Sequence, residues 1–241
     1  MTPASLIVGM VLFPDLTQLD LTGPYEVFTR LPNTTVYLVA ATLAPVRSER
    51  GLTITPDTTF DQVPPVDILF VPGGPGVDPL MEDAVLLEFL RKQAAQARYV
   101  TSVCTGALLL GAAGLLRGYR ATTHWLSLDL LPLFGAQPVQ ERVVIDRNRI
   151  TGGGVTAGID FGLVVATEIY GANVAQAIQL SIEYDPQPPF QSGSPHTASA
   201  DVVERLTRLR QPMQANRRSI AERAAARLQH HQRSQETKLP G

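Results

Sequence analysis

Tyr99-Val100-Thr101-Ser102-Val103-Cys104-Thr105-Gly106 runs as an apolar, β-branched stretch up to a thiol and stops there, and the helix-forming stretch Ala107–Leu116 follows at once. A strand that turns sharply into a helix holds the turn side chain up at the sheet edge, and Gly106 lets the backbone pass close to its neighbours. The first N–H groups of the helix and the positive end of its dipole then face the sulfur, which favours thiolate, a strong nucleophile. Cys104 is also the only cysteine of the chain. A lone cysteine serves equally well as an inert core residue, so the turn by itself leaves both readings open.

Working outward, Leu6–Phe13 is a continuous apolar run, the pattern of a strand buried on both faces. Leu19–Leu31 has helical character, with Asp20 or Thr22 near its start and Pro24 in its first turn. Thr35–Ala41 reads as a second strand, and Arg47–Thr55 as a short hairpin around Gly51. Asp67–Val71 is an apolar strand running into Pro72-Gly73-Gly74-Pro75-Gly76, which cannot be regular structure. Asp83–Ala97 reads as a helix, Arg120–Thr123 as a short strand and Trp125–Phe134 as a short helix. Val143–Asp146 and Arg149–Thr151 form an antiparallel pair turning at Arg147-Asn148. Ile159–Tyr170 and Val174–Tyr184 are helical, and Asp185–Pro195 is extended. Residues 198 to about 229 are helical and Arg-rich, and 232–241 are expected to be disordered.

Buried strands alternating with helices predict an α/β fold: a flavodoxin-like three-layer sandwich, its sheet mainly parallel, with helices on both faces. The expected division is an α/β domain over residues 1–197 and a basic helical extension and tail over 198–241. The chain has 241 residues, a formal charge of −2 and 44% apolar residues, enough for a real core and without the charge excess that draws nucleic acid or anionic membrane. One cysteine excludes an internal disulfide or a cysteine-rich zinc site, and no metal-ligand spacing is present. The start of the chain reads as a buried strand rather than a signal peptide, and no apolar stretch reaches membrane-spanning length. A cytoplasmic protein is expected. The Arg-rich segment Arg205–Arg227 reads as a solvated or dimer-packing helix.

In parallel sheets, ligands bind beyond the carboxyl ends of the strands, which places Asp20, Gly74 and Cys104 at one edge. Asp20 is there either as a helix N-cap or as a working carboxyl. Beside a thiolate its pKa would rise, and it would hold a proton to donate. The backbone N–H groups of Gly73-Gly74 and of Thr105 are candidates to hold a water or a developing negative charge. His124 could pair with the thiol, but such a histidine is more often a core residue. Gly152-Gly153-Gly154 lacks the pattern of a dinucleotide site and suits a tight turn near the pocket. Trp125 and Val155 are candidates to line that pocket.

Gln18-Leu19-Asp20-Leu21-Thr22-Gly23-Pro24, Pro72-Gly73-Gly74, Thr101–Gly106, Ala121-Thr122-Thr123-His124-Trp125 and Thr151–Asp160 together resemble the ThiJ/PfpI family of the class I glutamine-amidotransferase-like superfamily. Within it the chain is most similar to the isocyanide (isonitrile) hydratases. The resemblance spans roughly residues 7–198 and the Arg/Ala-rich tail. It implies a cofactorless, metal-free hydro-lyase, a homodimer acting on a small isocyanide. Cys104 would be the nucleophile and Asp20 the proton donor, with Thr105 and Gly74 holding water; the pocket would include Gly73, His124, Trp125, Gly153 and Val155. Many relatives carry glutamate where this chain has Asp20, and aspartate is what the hydratases use. Thr105 stands where protease-like and glyoxalase-like members often have histidine. Regulators that share several of these strings add a DNA-binding domain. The alternatives are a glyoxalase or deglycase, and a non-enzymatic redox sensor or chaperone-like dimer.

Overall fold

Strand β1 (Leu6–Val11) is apolar on both faces because both are covered, and it lies in the interior of a seven-stranded sheet. The computed structural model describes residues 5–236, with side-chain surroundings as far as residue 230. Helix α1 (Gln18–Phe28) follows, with Pro24 inside it, and leads to β2 (Thr34–Ala40), which pairs parallel with β1. A hairpin of β3 (Val46–Arg47) and β4 (Thr53–Ile54) stands apart from the sheet and turns near Gly51 at φ +92°. The edge strand β5 (Thr58–Thr59) is too short to show a period in the sequence.

The chain then crosses back, and β6 (Ile68–Val71) takes the other side of β1. After the glycine turn come the short α2 (Val77–Leu80) and α3 (Ala84–Ala94), the latter capped by Asp83, which accepts from Leu86 N–H at 2.8 Å. Strand β7 (Tyr99–Val103) pairs parallel with β6, and α4 (Gly106–Ala112) leaves it directly. Beyond β8 (Arg120–Ala121), residues Trp125–Phe134 form a 3-10 helix and β9 (Gln137–Pro138) pairs with β8. Strands β10 (Val143–Asp146) and β11 (Arg149–Gly152) are the one antiparallel pair of the main sheet, and β11 lies parallel to β7. Helices α5 (Ala157–Tyr170), α6 (Ala172–Ser181) and α7 (Ala200–Glu236) complete the described chain.

The sheet order is β10-β11-β7-β6-β1-β2-β5. Helices α1, α5 and α6 pack together, and α2, α3, α4, the 3-10 helix and α7 form a second set, giving the three layers expected. Connections leave β1 and β6 in opposite directions, and such a reversal opens a crevice at the strand ends. Helix α7 continues to Glu236, through part of the stretch expected to be disordered; residues 237–241 lie outside the described ones. It is also not merely solvated. Ile220, Ala221, Ala224, Ala225 and Leu228 are buried against the body. Among the described residues no helix is long and apolar enough to cross a membrane.

Candidate active site

Cys104 closes β7 with a positive φ of 51°, a conformation that a side chain other than glycine adopts at a cost. The surrounding bonds hold it there. Its N–H donates to the carbonyls of Gly152 (3.1 Å) and Gly153 (2.7 Å), and its own carbonyl accepts the Thr123 hydroxyl at 2.7 Å. Gly106 permits the turn by proximity: a Cβ there would stand 2.2 Å from the Val71 carbonyl oxygen.

Asp20 is on the third residue of α1, whose N-cap is Thr17, so the N-cap reading of Asp20 does not hold. It is wholly buried, and Oδ2 accepts the Gly73 N–H at 3.0 Å. Its carboxyl stands beside Cys104. Oδ1 has no partner. Burial is the largest cause that raises Asp20 to a pKa of about 7; the bonds from Cys104 and Gly73 pull it down, and Glu49 adds a smaller upward push. Gly73 is glycine because the carboxyl and the elbow leave no room: a Cβ would lie 2.5 Å from Thr105 N, 2.7 Å from Asp20 Oδ2 and 2.8 Å from Cys104 Cβ.

The expectation of a favoured thiolate is corrected. Cys104 is 4% exposed. Burial first, and the neighbouring Asp20 carboxylate second, push the thiol well above its usual value, outweighing the Thr105 N–H that bonds the sulfur. The helix end contributes, but desolvation is larger, so the thiol keeps its proton, and below about pH 7 the carboxyl keeps one as well. Of the expected water-binding donors, the two glycine N–H groups are occupied: Gly74 N–H donates to the Thr105 hydroxyl at 2.9 Å and Gly73 N–H to Asp20.

The sulfur opens onto a cavity of about 120 Å³, with Thr105, Gly74, His124 and Val155 on its wall. Gly73 is not on its wall, and Trp125 and Gly153 line an adjoining hollow of about 360 Å³ that shares His124 and Val155. His124 therefore reaches the cavity, yet the carboxyl and not the imidazole holds the thiol. Its Nδ1 accepts the Leu126 N–H at 3.3 Å, and burial, with Arg217 and Arg210, lowers its pKa to about 4, so the ring is neutral. The rest of the wall was not foreseen. Thr17 and Glu49, joined by a 2.7 Å bond, come from the loops after β1 and β3. Arg210, Met213, Gln214 and Arg217 come from α7 and form a roof. The sequence signal was there in the apolar spacing of that helix, but nothing in it indicates which surface the helix covers. Among the described residues no group of three or more His, Cys, Asp or Glu is placed to hold a metal.

The model of the DJ-1/PfpI family matches residues 7–168. An isonitrile hydratase of Pseudomonas putida is 57% identical over 93% of this chain and 98% of its own length. The solved structure of a ThiJ/PfpI family protein from Pseudomonas syringae superposes with a TM-score of 0.88 at 45% identity, covering 90% of this chain and 91% of that one. The transcriptional regulator GbdR of Pseudomonas aeruginosa is 38% identical over 56% of this chain, but over only 37% of its own length.

Proposed function

The chain belongs to the DJ-1/PfpI family, and from that premise we propose that it hydrates an isocyanide to an N-substituted formamide through a covalent thioimidate on Cys104. The observation that carries this reading is the buried juxtaposition, around Gly73, of the Asp20 carboxyl and the one thiol of the chain. The similarity to the Pseudomonas putida isonitrile hydratase, over nearly the full length of both chains, supports the substrate class.

An isocyanide must receive a nucleophile and a proton on the same terminal carbon. In the first step the protonated Asp20 carboxyl gives its proton to that carbon. The Cys104 sulfur bonds to it, and the thiol proton passes to the vacated carboxylate. The product is an S-linked thioimidate, with Asp20 protonated as before. In the second step water adds to the thioimidate carbon and one of its protons goes to the nitrogen. The other returns to sulfur by way of Asp20 as the carbon–sulfur bond breaks, which releases the formamide and restores the thiol. The Thr105 hydroxyl, fixed between the Gly74 N–H and the Gly74 carbonyl (3.3 Å), shapes the wall beside the sulfur.

The test is turnover of para-nitrophenyl isocyanide, followed as formamide, with methylglyoxal as the competing substrate. Cys104→Ala is expected to fall to the uncatalysed background. An active Cys104→Ala enzyme, or a preference for methylglyoxal, would reject the reading. A homodimeric assembly belongs to the same proposal, and a monomer in sedimentation equilibrium would remove that part alone.

A further inference from the structure

A chain of hydrogen bonds crosses from α2 to α7 beside the sulfur cavity and runs outward from a group that can only donate. The Arg217 guanidinium can only donate. Its Nε bonds Asp78 Oδ1 at 2.5 Å, and its Nη1 bonds Ser127 Oγ at 3.2 Å. Having accepted that bond, Ser127 sends its single hydroxyl proton to Gln214 Oε1 at 3.3 Å. The Gln214 amide is thereby oriented with its oxygen used and its nitrogen free. Nε2 is buried and has no partner, although Gln214 lines the cavity wall with Cys104 and Thr105. Three buried side-chain atoms are unpartnered among the described residues: Asp20 Oδ1, Ser102 Oγ and this nitrogen. Of the three, only Gln214 is on the cavity wall. A buried N–H donor without a partner carries a desolvation cost that an acceptor arriving in the cavity relieves.

Resting on the hydratase reading, we propose that Gln214 Nε2 holds the oxygen atom of the second step: that of the incoming water, then of the tetrahedral adduct and of the formamide. The backbone donors of the glycine turn beside the sulfur are already engaged, Gly74 N–H by the Thr105 hydroxyl and Gly73 N–H by Asp20. The oxygen therefore needs a donor from elsewhere on the wall, and α7 supplies one from beyond the segment 7–168 that the family model matches. Ser127 and Arg217 are positioning residues for that amide. The unpartnered Asp20 Oδ1 is the complementary acceptor, suited to a proton of the same water.

The experiment is rapid-quench intact-protein mass spectrometry with para-nitrophenyl isocyanide, alongside steady-state turnover, on the full-length chain. Gln214→Leu removes the donor at similar volume and Gln214→Glu keeps the shape while offering only acceptors; thermal melts report whether each folds. Adduct formation on Cys104 is expected at the wild-type rate in both. Its hydrolysis is expected to slow about a hundredfold, so that the adduct accumulates at steady state. Ser127→Ala is expected to slow the same step less. Folded variants that hydrolyse the adduct at the wild-type rate, or that lose adduct formation and hydrolysis equally, would overturn the assignment of Gln214. If both Gln214 variants fail to fold, the Ser127→Ala result decides, and unchanged hydrolysis there overturns it. A wild-type chain that neither forms the adduct nor makes formamide would overturn the hydratase reading, and this inference with it.

Discussion

At the scale of single residues, the proposed chemistry rests on a carboxyl that keeps its proton where carboxyls usually lose it. Asp20 ionises near 3.8 when exposed and near 7 in the fold. The folded state therefore binds a proton across that interval that the unfolded chain does not, and this group's contribution to stability falls as pH rises from about 4 to about 7. Activity follows the same group: kcat/KM for an isocyanide is expected to decline above an apparent pKa near 7, a value belonging to the thiol–carboxyl pair. Asp20→Asn should remove that limb and lower kcat/KM by roughly 10²–10⁴-fold. Since His124 titrates near 4, His124→Gln should leave the limb in place. Gly73→Ala would drive a methyl against the carboxyl, and a loss of about 1–3 kcal/mol in denaturant unfolding is expected, together with lost activity. Cys104 was legible because it follows directly on an apolar strand, and Asp20 because it stands at the start of the helix that comes after another. The protonation of the thiol was not, because the helix end is visible in a sequence and the completeness of burial is not.

At the scale of elements, the long strands and helices announced themselves by apolar runs and periodicity, and β1, β7 and α5 lie within a few residues of where the pattern put them. The two-residue strands β5 and β9 had no such signal, since hydrogen bonding to a neighbour alone defines them. The role of α7 was hidden for a different reason. Its arginines look solvated in sequence, yet Arg217 is buried in an ion pair with Asp78, their side chains 4% and 9% exposed. Burial raises the Asp78 carboxyl and Arg217 pulls it back. Arg217→Met should therefore cost about 3–5 kcal/mol by stranding Asp78, and an Asp78→Leu/Arg217→Met double variant should recover much of that loss in thermal unfolding.

At the scale of the whole molecule, the site exists because the sheet reverses direction between β1 and β6, bringing the loops after both strands to the turn after β7. The extension expected over residues 198–241 contains α7, which buries its apolar face on the body and roofs the cavity. We propose that the extension unfolds with the body. The single tryptophan, Trp125, begins the 3-10 helix against which α7 packs. Its fluorescence and the far-ultraviolet circular dichroism should therefore melt together, and an earlier loss of helix would separate the two parts. The covalent step is the centre of the proposed chemistry. The most direct check is the intact mass of the wild-type chain, quenched during isocyanide turnover and mapped by peptide. One substrate mass added at Cys104, decaying at the rate of formamide release, is expected; formamide released at full rate by a chain whose mass never changes would rule the thioimidate out.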